Sequence, residues 1–163
     1  MNANVDEQAF RALYDATAKP LSRYIVRVCG KQDVADDLLQ ECYFRLLRSK
    51  RADMPLADAR PYLFRIASNL LHDRWRRGQE FSLEDTAEQA LEVHPEKSMD
   101  AARMLQGLKP RARELLWLAY VEEMTHREIA AVTGLNVMSI RILLQRARRE
   151  AQVMLESRGT DHA

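Results

Sequence analysis

The chain is predicted to be all-α: two small helical domains joined by a flexible linker, the second containing a helix-turn-helix. Three observations lead there. Apolar residues make up 47% and charged residues 30% of the 163 positions, with only 5 Gly and 5 Pro, a balance that suits helices with real cores. No alternating run of β-branched residues marks a strand. The stretch Thr125 to Arg141 reads as a short helix, a glycine turn and the start of a second helix, which is the pattern of a helix-turn-helix. Charge is also segregated. Five arginines against one acid lie between Arg60 and Arg77, and four arginines with no acid between Val137 and Arg149. Between them, Gly78 to Ser98 holds six acids against Lys97. The formal net charge of +1 is therefore less informative than its distribution.

The elements follow in order. Gln8 to Val28 carries Phe10, Leu13, Tyr14, Leu21, Ile25 and Val28 at helical spacing and reads as one or two helices, interrupted near Pro20. Gly30 to Asp33 forms a turn, with Asp33 able to cap a helix from Val34 to about Ser49. Asp53-Met54-Pro55 marks a loop, and Pro61 suits the first turn of a helix ending near Arg77. Gly78 to Lys97 is a linker of little fixed structure, holding at most a short helix over Glu84 to Leu91. A second helical unit starts over Ser98 to Leu105, and Lys109-Pro110 opens a helix to about Glu122. The last helix runs to about Leu155, with a frayed tail from Glu156 to Ala163. Domain boundaries are thus expected at 1–77, 78–97 and 98–163.

Sorting residues at about 100° per position gives each helix two faces. From Val34 to Ser49, Ala35, Leu38, Leu39, Cys42 and Leu46 form a core stripe. Asp33, Asp37, Gln40, Glu41 and Phe44 fall opposite. A charged face alone is usually just solvated, but a large aromatic among acids has the make-up of a partner surface with an apolar anchor. From Pro61 to Arg77, Leu63, Ile66, Ala67 and Leu70 are buried. Tyr62, Arg65, Asn69, His72 and Arg76 cluster opposite, and Trp75 lies to one side near Phe64, where core and surface roles are equally open. Arginine can neutralise phosphate, aromatic rings can stack on unpaired bases and an amide can read a base edge.

In the helix-turn-helix, Thr125 and Glu128 have the spacing of a capping box, and Gly134 permits the left-handed backbone of the turn. Ile129, Ala130 and Leu135 bury the first helix and the turn. Val137, Ile140, Leu144, Ala147 and Ala151 form the core stripe of the second. Outward lie Met138, Ile142, Gln145, Arg146 and Arg149, flanked by Arg141 and Arg148. Gln can pair with adenine, Arg with guanine, and Met or Ile can touch a thymine methyl. The flanking arginines are better suited to phosphates.

Other classes find little support. Cys29 and Cys42 stand on apolar helical stretches, outside any Cys-x-x-Cys arrangement, and read as buried free thiols. The four histidines make no metal-ligand spacing with them. The pattern offers no clustered carboxylates, no phosphate loop and no nucleophile beside a base. No catalytic residue, metal or cofactor is therefore expected. The polar start of the chain has no signal-peptide pattern, and no apolar run reaches the length of a membrane span. A cytoplasmic protein without membrane insertion is the expectation.

Three motifs in order resemble those of group IV (extracytoplasmic-function) sigma factors of bacterial RNA polymerase. Ala35 to Leu46 resembles that family's polymerase-binding helix in region 2. Arg60 to Leu70 and Asp73 to Arg77 resemble the helix that melts and reads the −10 element. Leu108 to Arg113 resembles the start of region 4, and Glu128-Ile129-Ala130 with Arg146-Ala147-Arg148 its −35 reader. The resemblance implies that Asp37, Gln40, Glu41 and Phe44 bind the clamp helices of the polymerase β′ subunit. It implies −10 contacts from Tyr62, Arg65, Asn69 and Arg76, with Asn69 at a position that holds a flipped base and the loop from Arg51 to Arg60 forming part of its pocket. It implies −35 contacts from Met138, Arg141, Ile142, Gln145, Arg146, Arg148 and Arg149. The second domain would dock on the β flap, and an anti-sigma factor would hold the chain inactive. One departure stands out: Met138 to Leu143 reads Met-Ser-Ile-Arg-Ile-Leu where the family often has Gly-Thr-Val-Arg-Ser-Arg, so two polar contact positions are apolar. A free-standing helix-turn-helix regulator acting as a dimer is the alternative.

Overall fold

A computed structural model describes residues 3–49, 54–78 and 107–160. All regular structure among the described residues is helical. The helices are α1 (Ala3–Cys29), α2 (Gln32–Arg48), α3 (Leu56–Arg76), α4 (Pro110–Leu116), α5 (His126–Thr133) and α6 (Val137–Thr160), with a π-turn over Trp117–Val121 between α4 and α5. The expected linker beyond Gly78 and the helix expected over Ser98 to Leu105 lie outside the described residues.

α1, α2 and α3 pack on one another as the first unit. Leu21, Tyr24, Ile25, Val28, Cys42, Leu46, Leu63 and Phe64 are wholly buried there. Each large apolar side chain taken out of water contributes roughly 1.5–3 kcal/mol. That packing explains the first departure from expectation: α1 runs unbroken through Pro20. The proline removes one ladder bond, but Leu13, Thr17, Leu21 and Tyr24 on either side are all buried and keep the helix continuous through it. Thr17 Oγ donates to the Leu13 carbonyl at 2.7 Å and shares a 2.6 Å hydrogen bond with the Tyr43 hydroxyl.

Other boundaries also move. α2 starts at Gln32 with Lys31 as its N-cap and no side-chain cap. Asp33 falls inside the first turn instead, where its charge meets the helix dipole. α3 starts after Pro55, so Pro61 lies within the helix and Leu56 to Arg60 are helical rather than loop. Ala59, fully buried, anchors this added turn. α6 continues to Thr160 rather than fraying at Glu156, since no breaker stands between Leu155 and Gly159.

The second unit packs α4 on α6, and α5 on α6. Leu115, Leu118, Ile129 and Ile140 are fully buried, with Leu144, Ala147 and Ala151 nearly so. Val137 departs from the expected core stripe: at 43% exposed, it is the first residue of α6 and precedes the point where the helix meets the core. Phe64, Ser68 and Leu71 are buried beyond expectation because α3 is covered on two sides, and Tyr43 of α2 is buried against Thr17 of α1. The units are in contact, with α5 along α3 and α4 against α1.

Both thiols are fully buried. Burial pushes the Cys42 thiol up to about 12, so it stays protonated and unreactive near neutrality.

Candidate functional site

Three polar faces and one buried node make up the candidate site. On α2, Asp37, Gln40 and Phe44 are exposed and Glu41 half-exposed, one stripe at spacings of three and four. Phe44 keeps 53% of its surface, and the Arg48 guanidinium lies 5.6 Å from its ring centroid. Glu41 accepts from Arg45 Nε at 3.0 Å, an ion pair open to water and hence weak. An acidic strip ending in an apolar ring, with its arginines held behind it, is a surface for a basic, partly apolar partner.

On α3, Arg65, Asn69 and Arg76 are exposed and Tyr62 half-buried, all on one stripe. Arg76 pairs with Asp73, so its charge is already partly met. His72 does not belong to this face. Its side chain is 15% exposed and its Nε2 lies 2.9 Å from Glu114 Oε2. Trp75 is half-buried; its ring stacks near that of His72, with centroids 4.8 Å apart, and the Arg111 guanidinium is 5.6 Å from it.

The helix-turn-helix forms as its residues dictate. Thr125 Oγ1 accepts from the Glu128 N–H at 3.1 Å, and Glu128 Oε1 accepts from the Thr125 N–H at 3.3 Å. Gly134 takes φ 78 and closes α5. A second cap, not foreseen, begins α6: Asn136 Oδ1 accepts from the Met138 N–H at 2.9 Å. The two helices turn through 101°, within the range of about 90–120° of DNA-binding pairs. Outward on α6 stand Met138 at 73% exposed and Ile142 at 51%, with Arg141, Gln145, Arg146, Arg148 and Arg149. Arg141, Arg146 and Arg149 have no ion-pair partner among the described residues. Arg148 donates to the Tyr120 hydroxyl at 3.0 Å, a contact that the π-turn makes possible by turning Tyr120 outward.

The node lies between the units. Glu114 is entirely out of water. Its Oε1 accepts from Ser68 Oγ at 3.0 Å, its Oε2 faces His72 Nε2, and Arg111 Nη1 lies 3.7 Å from Oε1. Arg111 Nη1 is also 3.0 Å from His72 Nε2. Nε2 cannot both donate to the carboxylate and accept from the guanidinium; donating to the buried carboxylate, it leaves Arg111 to act through its charge. Burial holds the Tyr24 hydroxyl well above the usual tyrosine range, and the Glu114 carboxylate adds to that. At the rim, Arg60 Nη2 donates to Glu122 Oε2 at 2.5 Å. Nothing local in the sequence reveals this node. Arg113 and Glu114, charged yet both buried, stand beside Arg111 ahead of the apolar part of the helix.

Among the described residues no cluster of three or more His, Cys, Asp or Glu side chains is arranged to hold a metal. No single helix among them is long and apolar enough to cross a membrane.

Comparison with known proteins identifies the family. The family model for sigma-70 region 2 matches residues 13–81, and that for sigma-70 region 4 matches residues 98–150. The RNA polymerase sigma-E factor of Streptomyces antibioticus is 31% identical over 95% of this chain and 87% of its own length. The extracytoplasmic-function RNA polymerase sigma factor SigE of Mycolicibacterium smegmatis is 26% identical over 97% of this chain and 72% of its own. Among solved structures, the sigma factor RpoE of Bartonella quintana, in complex with the anti-sigma factor NepR, has the same fold. Its TM-score is 0.68 at 18% identity, over 92% of this chain and 96% of that one.

Proposed function

Because the chain belongs to the sigma-70 family, as a group IV, extracytoplasmic-function member, we propose a division of labour among its faces. The protein is a promoter-specificity subunit: it binds bacterial core RNA polymerase and directs initiation at promoters. It is an initiation factor rather than an enzyme, and this role places it in the cytoplasm with the polymerase. Residues 1–77 form the unit that meets polymerase and the −10 element, 78–97 the acidic linker, and 98–163 the unit that docks on the β flap and reads the −35 element.

Asp37, Gln40, Glu41 and Phe44 meet the β′ clamp helices, the acids facing basic residues and Phe44 filling an apolar pocket. Tyr62, Arg65, Asn69 and Arg76 take the melted −10 strand, with Asn69 hydrogen-bonding a base swung out of the stack. Extrusion costs about a few kcal/mol, offset by those contacts. Arg141, Gln145, Arg146, Arg148 and Arg149 engage −35 phosphates and base edges. Met138 and Ile142, apolar and largely exposed, meet thymine methyl groups. An anti-sigma factor is the expected inhibitor, as one is bound to RpoE of Bartonella quintana.

One observation carries the reading: a single chain presents both an acidic, Phe44-tipped face and a doubly capped helix-turn-helix whose second helix leaves Arg141, Arg146 and Arg149 without ion-pair partners among the described residues. The dimeric-regulator alternative accounts only for the latter. Run-off transcription with purified core polymerase over a random-promoter library tests it; no promoter-specific transcript would refute it. Glu41→Lys should abolish co-elution with core polymerase while circular dichroism stays unchanged. Retained co-elution would remove α2 as the polymerase surface.

A further inference from the structure

We propose that Tyr120, which lies outside the helix-turn-helix, belongs to the −35 interface: its hydroxyl holds the Arg148 guanidinium in place for a backbone phosphate of the duplex. The inference rests on the proposed −35 role of α6 and adds a positioning residue to it.

The contact joins distant parts of the chain. Arg148 Nη1 donates to the Tyr120 hydroxyl at 3.0 Å, across 28 positions of sequence. Both residues are exposed, so water could replace the bond at little loss of stability. Tyr120 nevertheless stands on a fixed base. Leu118, two residues earlier, is fully buried, and Met124, four residues later, is nearly so. The Met124 N–H donates to the Leu118 carbonyl at 3.0 Å and closes the segment that carries Tyr120. A rigid support thus presents an acceptor to one long, solvent-facing side chain.

The kind of acceptor matters. Arg76 pairs with Asp73, and a carboxylate there partly cancels the charge it holds. A tyrosine hydroxyl is neutral. It restrains the guanidinium and leaves its full positive charge for another group. It also occupies one of the five N–H donors of the fork, so the others stay available to phosphate oxygens. An exposed arginine must otherwise give up many rotamers when it docks. Among the described residues, Arg148 differs from Arg141, Arg146 and Arg149 in having such a side-chain restraint.

Its place on the helix selects a phosphate over a base edge. Arg148 and Arg141 lie on the same flank of α6, two turns apart, which is roughly 10 Å at about 1.5 Å per residue. Side chains at the flank of a groove-bound helix reach the backbone that walls the groove. Tyr120 widens that flank with a residue from the π-turn.

Promoter binding by the full chain assembled with core polymerase tests this, with a labelled duplex recovered from the random-promoter library. Tyr120→Phe, which removes only the hydroxyl, should weaken binding by about two- to tenfold. Arg148→Ala should weaken it more and reduce the salt slope by about one. In the Arg148→Ala background, Tyr120→Phe should cost nothing further. Single-base changes in the −35 element should keep the same affinity ratios with and without the hydroxyl, because phosphate contacts carry no sequence information. The denaturant midpoint of Tyr120→Phe should match the parent. Full affinity in Tyr120→Phe, an equal loss without Arg148, altered −35 preference or a lowered midpoint each overturns the inference. So does weaker assembly with core polymerase when the assembled enzyme still binds promoter as the parent does. Parent affinity in Arg141→Ala, Arg146→Ala and Arg148→Ala alike would sink the proposed −35 role itself. Affinity lost with Arg148→Ala yet kept with Tyr120→Phe would sink only the part given to Tyr120.

Discussion

α3 and α6 are both basic helices with aromatic or amide company, yet the fold uses them differently. α3 is covered on two sides, and its polar residues are largely taken up: His72 by Glu114, Arg60 by Glu122 and Arg76 by Asp73. Only Arg65 and Asn69 on its reading face have no such partner among the described residues. α6 buries a single stripe, and Arg141, Arg146 and Arg149 project into solvent without ion-pair partners among the described residues. Arginine content alone therefore misjudges how much positive charge a helix can offer. The first helix is suited to holding a few bases in a defined geometry, the second to neutralising a duplex backbone.

This contrast can be broken by substitution. Arg146→Ala should give the largest effect, weakening binding to −35 duplex by roughly 1–3 kcal/mol if it reads a base. Arg76→Ala, its charge already shared with Asp73, should weaken binding to melted −10 strand by much less. Equal losses in fluorescence-anisotropy titrations would erase the distinction. Next comes Thr125→Ala, which should destabilise the protein by about 1 kcal/mol through loss of the capping box. α3 begins without any side-chain cap, so no comparable lever exists at its start. An unchanged denaturant midpoint would show that tertiary packing alone fixes α5. Smallest is Asn69→Ala, expected to slow promoter opening by the worth of one hydrogen bond, roughly 0.5–1.5 kcal/mol, with −35 duplex affinity retained. Loss of −35 affinity in step with opening would remove Asn69 from base capture.

What could be read in the sequence was what depends on neighbours along the chain. The capping box at Thr125, the left-handed Gly134, the exposed Phe44 and the core stripes of α2, α3 and α6 follow from spacing and turn chemistry. Helix ends were less legible. Pro20 and Pro61 read as punctuation, but burial around them outweighs one missing backbone bond. The buried node escaped altogether. His72 falls on the polar stripe of α3 by periodicity, and only Glu114, 42 positions further on, turns it into an interior residue. No local pattern carries that information. Phe64, Ser68 and Leu71 exceeded expectation for the same reason, as α3 is packed by α1 and α2 on one side and by α5 on another, where an amphipathic stripe anticipates one covered side.

The π-turn over Trp117–Val121 has an implication for where the chain leaves α4. In it the Glu122 N–H reaches the Trp117 carbonyl, five residues back, at 3.1 Å, so this helix carries one residue more than an α-helical path needs. A π-turn takes up one extra residue within a single widened turn, and here it ends the helix just ahead of Glu123, whose φ is 54. The extra residue thus fixes where the chain departs from α4 and, with Tyr120 presented to Arg148, ties that departure point to the last helix.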